Sequence, residues 1–487
     1  MKQFLEDLSQ FTGFPVDQVR YVTGMFITLF LAVLYNLFLP PSNTTRSTRL
    51  TVGLIWGIMI GWLVYESAIL QLIILPMLCY FLIYLVPSDI IHRYTFILTM
   101  TWLSVNHIYH QITDYGGYRQ NVTGPLMVIT QRLTYVAYSL HDGLCRNANE
   151  LTIEQRQHCI KEKPTMLEFF SYNLHFTMFL VGPSCTYYEF IQFIDGNNMK
   201  GYKGLYKIPV ITVAMKIFKA ITYLGLYVLG GSLLSVYTCI DSTYRSKTPL
   251  LTKIVHGYLV IGAVKMRYYF AWTFGDGVIN AAGMGFNGYD KNGEQRWDAF
   301  TNIKVKNIEL ATNARTILEN WNICTEKWLK RIIYFRAKNK VQGVMTTAFT
   351  SALFHGFYPG YYLCFISTGL ITISSRTARH SFWAFFQESK RKKIFYDILT
   401  WCITNTLVSY CVLPFMLLRL EYGIIFWRSM YFFGHFVSIL GFASPWISKM
   451  LGMWKDKKLE ERQKETKTEA INGRRIIRNI DDDEKEK

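Results

Sequence analysis

Residues 50–86 contain a single charged side chain, Glu66, and residues 21–39 ("YVTGMFITLFLAVLYNLFL") contain none. Apolar runs of this length constrain the chain more than any other feature. A backbone surrounded by lipid must satisfy its own N–H and C=O groups, which leaves helices or closed barrels. About 20 apolar residues cross a bilayer as a helix, so the longer run suffices for two crossings joined by a tight turn. Composition agrees. Of the 487 residues, 51% are hydrophobic and only 18% charged, below the roughly 25% usual for soluble domains. The expected fold class is an all-α polytopic membrane protein.

About eleven hydrophobic segments are expected, near 21–39, 50–67, 69–86, 91–109, 165–182, 208–239, 250–275, 341–357, 358–374, 396–417 and 423–447, with an amphipathic helix over 122–140. They predict about 10–11 transmembrane or re-entrant helices in a membrane-embedded domain over 1–453. Residues 454–487 form a mixed-charge tail, expected to be cytosolic and flexible. The amphipathic start "MKQFLEDLSQFTGF" is followed by no small-residue cleavage site, so the first apolar run is expected to remain. Nine cysteines include no CxxC pair and read as small buried hydrophobes. No inverted pair of interrupted helices is visible, which weakens a transporter reading.

The formal charge of +18 raises the question of nucleic acid, but the basic residues sit in connectors: Lys327, Lys330, Arg331, Arg336, Lys338 and Lys340 in one, Lys390, Arg391, Lys392 and Lys393 in another. Short basic loops beside spans mark the cytoplasmic face. They also suit an anionic substrate or lipid headgroups. A membrane lipid partner is expected, and no nucleic acid.

Residues 341–374 hold no Asp, Glu, Lys or Arg, and "HGFYPGYY" interrupts them near the middle, placing His355 far from either water boundary. Ionisable groups at such depth are costly and point to function. Desolvation favours the neutral imidazole, which can accept a proton. A histidine paired with another buried group is the alternative. Upstream lies "ENWNICTEKWLK" (319–330). At helical spacing Asn322 shares a face with Thr325 and Glu326, with Trp321 and Trp328 seven apart on a neighbouring face. An asparagine amide can donate to a developing oxyanion, or it can serve as a helix cap.

With its histidine 33 residues after Asn322, "ENWNICTEKWLK…SALFHGFYPGYYLCF" closely resembles the signature of the membrane-bound O-acyltransferase family. "DYGGYRQNVTGPLMVITQRLT", "HDG", "PTMLEFFSYNLHFTMFLVGPSCTY", "MRYYFAWTFGDGVINAAGMGFNGYDKNGEQRWD" and "WRSMYFFGH" are similar to its glycerophospholipid branch. The resemblance runs from about residue 14 to 450. It implies a helical bundle around an intramembrane reaction chamber. It also implies an enzyme of the endoplasmic reticulum membrane that moves a fatty acyl group from acyl-CoA to the free hydroxyl of a lysophospholipid. Lysophosphatidylethanolamine, lysophosphatidylserine and lysophosphatidylcholine rank first as acceptors, and lysophosphatidylinositol lower. Acyltransfer to diacylglycerol, sterol or protein stays open, as do a transporter and a silent scaffold. By position the family's histidine is His355 and its asparagine Asn322, the two catalytic candidates. Neither a metal nor a bound cofactor is implied, because a thioester is already activated; acyl-CoA is a co-substrate. Trp321, Thr325, Lys327, Lys330, Arg331 and Tyr269 are candidate substrate or CoA contacts. The three basic residues would face CoA phosphates or serve topology alone. Tyr268, Tyr269 and Trp272 would form a lipid wall or plain core. Family members usually carry Trp before the histidine; here Phe354 keeps the aromatic wall without the indole N–H. Cys364 is expected to be core.

Overall fold

A computed structural model describes residues 2–117, 121–180, 182–203 and 208–452. The charged tail expected over 454–487 lies outside the described residues. The described chain is helical, with one isolated antiparallel bridge between Tyr289 and Gln295. Helices of eight residues or more are α1 (Lys2–Thr12), α2 (Val16–Phe38), α3 (Arg46–Tyr65), α4 (Ile69–Leu85), α5 (Ile91–Thr113), α6 (Thr123–Cys145), α7 (Met166–Leu174), α8 (Tyr187–Ile194), α9 (Val210–Leu233), α10 (Leu250–Ala281), α11 (Ile323–Ile332), α12 (Lys340–His355), α13 (Pro359–Phe386), α14 (Lys390–Leu417), α15 (Leu420–Ser429) and α16 (Phe433–Met450).

Among the described residues, four stretches are long and apolar enough to cross a membrane: Val16–Phe38, Arg46–Leu85, Val210–Ile240 and Lys390–Leu417. The pair α15/α16, bent by 73° at Tyr431 and Phe432, makes a fifth. Other long helices carry polar groups turned inward, as α6 does with Gln131, Arg132, Thr134 and Asp142. Large apolar side chains such as Phe30, Phe38, Met59, Leu85, Ile97 and Phe218 face outward, as a lipid-facing belt requires. The all-α polytopic class stands.

The apolar run 165–182 departs from its expectation as a continuous helix. It breaks after Leu174 at His175, whose backbone is extended (φ −60°, ψ 131°), and its described residues from Ser171 to Leu180 are buried in the protein. The break is held from another helix. Arg132 of α6, fully buried, donates to the carbonyls of Asn173 (2.9 Å) and Met178 (2.7 Å), and at longer range to Tyr172. A guanidinium is suited to this, because carbonyls released at a helix end need donors and favour positive charge. α3 makes room with glycines one turn apart: a Cβ on Gly57 would stand 1.7 Å from the Leu174 carbonyl oxygen, and one on Gly53 2.0 Å from the His175 ring.

Candidate functional site

The interruption at 356–360 has a local cause. Gly356 (φ 120°) ends α12 by donating its N–H to the carbonyls of Ala352 and Leu353, and Pro359 opens α13 at its first turn. His355 is thus the last residue of α12. Its ring stacks on Phe365 (centroids 5.1 Å, 26° between planes) and meets Phe415 edge-on at 5.4 Å, with Tyr361 and Phe354 each at 6.0 Å. No hydrogen bond among the described residues ties up either ring nitrogen. The residue is half-buried among these rings. A cavity of about 150 Å3 lies elsewhere, beside Tyr410, Cys411 and His435, and neither His355 nor Asn322 lines it.

One neighbour of His355 went unnoticed in the sequence. His107 of α5 donates from Nε2 to the Phe354 carbonyl (3.1 Å), an acceptor left open by the end of α12. A Cβ on Gly356 would come within 3.1 Å of the His107 ring, so the turn after His355 is pressed against that imidazole. His107 stands in "TWLSVNHIYH", an apolar run of the kind that singled out His355.

Asn322 occupies the residue before α11 with left-handed backbone angles (φ 48°, ψ 54°), which asparagine tolerates. The expected continuous helical face is therefore interrupted. Trp321 is extended (φ −103°, ψ 124°) and packs among Trp272 (5.1 Å), Tyr268 (5.5 Å) and Tyr269 (6.0 Å). Trp328 points elsewhere, fully buried, with its indole N–H on Thr134 Oγ1 (2.8 Å) and its ring 4.9 Å from Phe354. The two tryptophans do not share a face, because the helix starts only at Ile323.

The remaining candidates separate by environment. Thr325 Oγ1 accepts from Gln131 Nε2 of α6 (2.9 Å). Tyr269 donates to the Glu309 carboxylate, which also pairs with Lys265 at 2.6 Å. Lys327 is exposed. Lys330 pairs with Glu326 (2.5 Å) and Glu319 (3.6 Å); burial pushes the Glu326 carboxyl above its usual range while Lys330 pulls it down. Arg331 is turned inward, donating to the Glu154 carbonyl (3.0 Å) and lying over the Tyr135 ring. Cys364 is buried. Among the described residues no three His, Cys, Asp or Glu side chains come together as metal ligands would.

α11 and α12 meet through Trp328 and Phe354, and α6 braces α11 through Gln131 and Thr134. Asn322 and His355 are thus carried by adjoining helices, one at a beginning and the other at an end, without a hydrogen bond between them. What this arrangement offers is an uncommitted imidazole in an aromatic setting and a carboxamide that does not cap its own helix.

The sequence profile of the membrane-bound O-acyltransferase family matches residues 78–418. The chain is 36% identical over 448 residues to membrane-bound glycerophospholipid O-acyltransferase 2 of Rattus norvegicus, covering 90% of this chain and 86% of the relative. It is 36% identical over 450 residues to membrane-bound glycerophospholipid O-acyltransferase 1 of Homo sapiens, covering 90% of each. Lysophospholipid acyltransferase 6 of Drosophila melanogaster is 33% identical over 446 residues, covering 89% of this chain and 62% of the relative.

Proposed function

The chain belongs to the membrane-bound O-acyltransferase family and is an acyltransferase, and from that premise we propose that it moves a fatty acyl group from acyl-CoA to the free hydroxyl of a lysophospholipid, in phospholipid remodelling. The observation that carries the reading is His355: a half-buried imidazole with no hydrogen-bond partner among the described residues.

The chemistry follows from the two side chains. Neutral His355 takes the hydroxyl proton as the acceptor oxygen attacks the thioester carbonyl carbon. The C–O bond forms, and the carbonyl electrons move onto oxygen. The Asn322 amide donates to that oxyanion, a contribution worth about 3–4 kcal/mol at comparable sites. Collapse breaks the C–S bond, and the imidazolium returns its proton to the CoA thiolate. Holding both reactants at once supplies proximity without a covalent enzyme intermediate.

Lysophosphatidylethanolamine, lysophosphatidylserine and lysophosphatidylcholine are the first acceptors to test, in the endoplasmic reticulum membrane. Exposed Lys327 suits a CoA phosphate, whereas Arg331 serves packing. Microsomes carrying the protein, given labelled acyl-CoA and a lysophospholipid panel, test the reading. The wild type transfers label, His355→Ala abolishes transfer at equal expression, and Asn322→Ala lowers it severely. No transfer to any acceptor, or normal turnover by His355→Ala, would overturn it.

A further inference from the structure

Asn322 stands at the N-cap of α11, where an asparagine ordinarily turns its side-chain oxygen back onto the N–H of the second or third helical residue. It does not do so here, and its side chain makes no capping bond. Another asparagine fills the place. Asn302, in the segment leading from α10 to α11, accepts the N–H of Cys324 on its Oδ1 (2.9 Å). Its backbone carbonyl accepts the N–H of Ile323, also at 2.9 Å. Two of the four amides that every helix leaves open at its start are therefore satisfied from outside the helix. Asn302 is 4% exposed, so little water competes for these bonds.

Backbone donors also settle which way two carboxamides face. Oxygen and nitrogen of an asparagine amide are told apart by their partners, and a backbone N–H only donates. The Asn302 atom facing Cys324 is therefore the oxygen. Its Nδ2 is then the atom 3.1 Å from Asn322, and a donor at that place requires the Asn322 oxygen opposite it. The NH2 group of Asn322 is left turned away from Asn302 and makes no hydrogen bond within the described protein.

We infer that Asn302 is a positioning residue. By capping α11 in place of Asn322 and occupying the Asn322 oxygen, it fixes the Asn322 amide with its NH2 group, rather than its oxygen, available to donate to the acyl carbonyl. The inference rests on the acyl-transfer reading above and adds the residue that sets its oxyanion donor. Reversing the Asn322 amide would present an acceptor where negative charge develops, which is repulsive.

Asn302→Asp separates positioning from capping. A carboxylate oxygen still accepts the Cys324 N–H, but the second oxygen now faces Asn322 as an acceptor, and the Asn322 amide turns over to donate to it. With kcat normalised to folded protein, the expected result is a drop of about 100-fold. KM for acyl-CoA and lysophospholipid stays within about twofold. In an Asn322→Ala background, Asn302→Asp adds no further loss, because its route to the reaction is already gone. Asn302→Ala, which removes the donor to Asn322 together with the Cys324 acceptor, gives the same loss of kcat per folded protein and covers the case in which Asp lowers the yield. Wild-type kcat in both variants, or a loss that multiplies with that of Asn322→Ala, overturns the positioning role while leaving the acyltransferase reading intact. A wild-type protein that acylates no lysophospholipid overturns both.

Discussion

Gly360→Ala tests how closely the His355 setting depends on two backbones in contact. Gly360 lies in the first turn of α13, where its N–H donates to the Leu418 carbonyl at 2.8 Å. A Cβ there would stand 2.2 Å from the carbonyl oxygen of Pro414 and 3.0 Å from both Cα and O of Leu418. Ordinary contact begins near 3.4 Å, so the start of α13 and the end of α14 must part by 3.4 − 2.2 = 1.2 Å. Neither neighbour is a flexible side chain that can swing aside. The residues next to the clash, Tyr361 and Phe415, pack ring to ring at 4.4 Å and both border His355. Overpacking of this kind costs about 1–3 kcal/mol in stability. A displacement near 1 Å at reacting groups costs roughly 100-fold in rate. Acyl transfer by Gly360→Ala microsomes should fall towards that limit, with a lowered thermal midpoint in detergent. Gly369→Ala on the same helix is the control, since its new Cβ meets Ala348 Cβ at 3.3 Å and needs almost no movement. Wild-type activity and stability in Gly360→Ala, or equal damage in Gly369→Ala, would refute the reasoning.

Three further outcomes are expected. His107→Ala removes the donor to the Phe354 carbonyl and should cost roughly 1–3 kcal/mol of stability, measured by thermal unfolding in detergent, while His107→Gln, which keeps an N–H donor, recovers part of it. Phe354→Trp, although it restores the family's usual residue, adds bulk at a buried position 4.9 Å from the Trp328 ring. It should lower stability by about 1–3 kcal/mol, and an unchanged melting point would count against the tight packing described. Burial pushes the Asp298 carboxyl up, but the Asn287 hydrogen bond and the Arg296 and Lys304 charges outweigh it and hold it below the usual range. A depressed carboxyl contributes stability that is present above its unfolded pKa of about 3.9 and is lost as pH falls through the folded value. Asp298→Asn should therefore lower the melting point at pH 7 and shrink the difference between pH 7 and pH 3.

The sequence made legible what depends on composition and local spacing. The long apolar runs announced an all-α membrane protein, and the isolated charge-free setting of His355 marked it before any fold was known. Gly356 and Pro359 already signalled the stop and restart that leave this histidine at a helix end. Features imposed from a distance were not legible. Nothing near 165–182 says that the run breaks at His175, because the group that stabilises the break is Arg132. Trp321 and Trp328 looked like one face only on the assumption of an unbroken helix, and the left-handed Asn322 ends that assumption. Arg331 reads as a surface cation, yet the Glu154 carbonyl and the Tyr135 ring draw it inside. Asn302 carries no signal of its own, being one polar residue in a polar segment, and only the folded backbone brings it to Cys324.

The buried kink at His175 bears on how spans are counted. A crossing helix needs about 20 residues, whereas the described helices in 165–182 are Met166–Leu174 and Phe176–Phe179, so hydropathy alone reads a continuous span where the backbone is broken. The guanidinium of Arg132, by binding carbonyls on both sides of the break, ties this turn to α6, so the path of one apolar run is set by a charge about forty residues earlier in the chain.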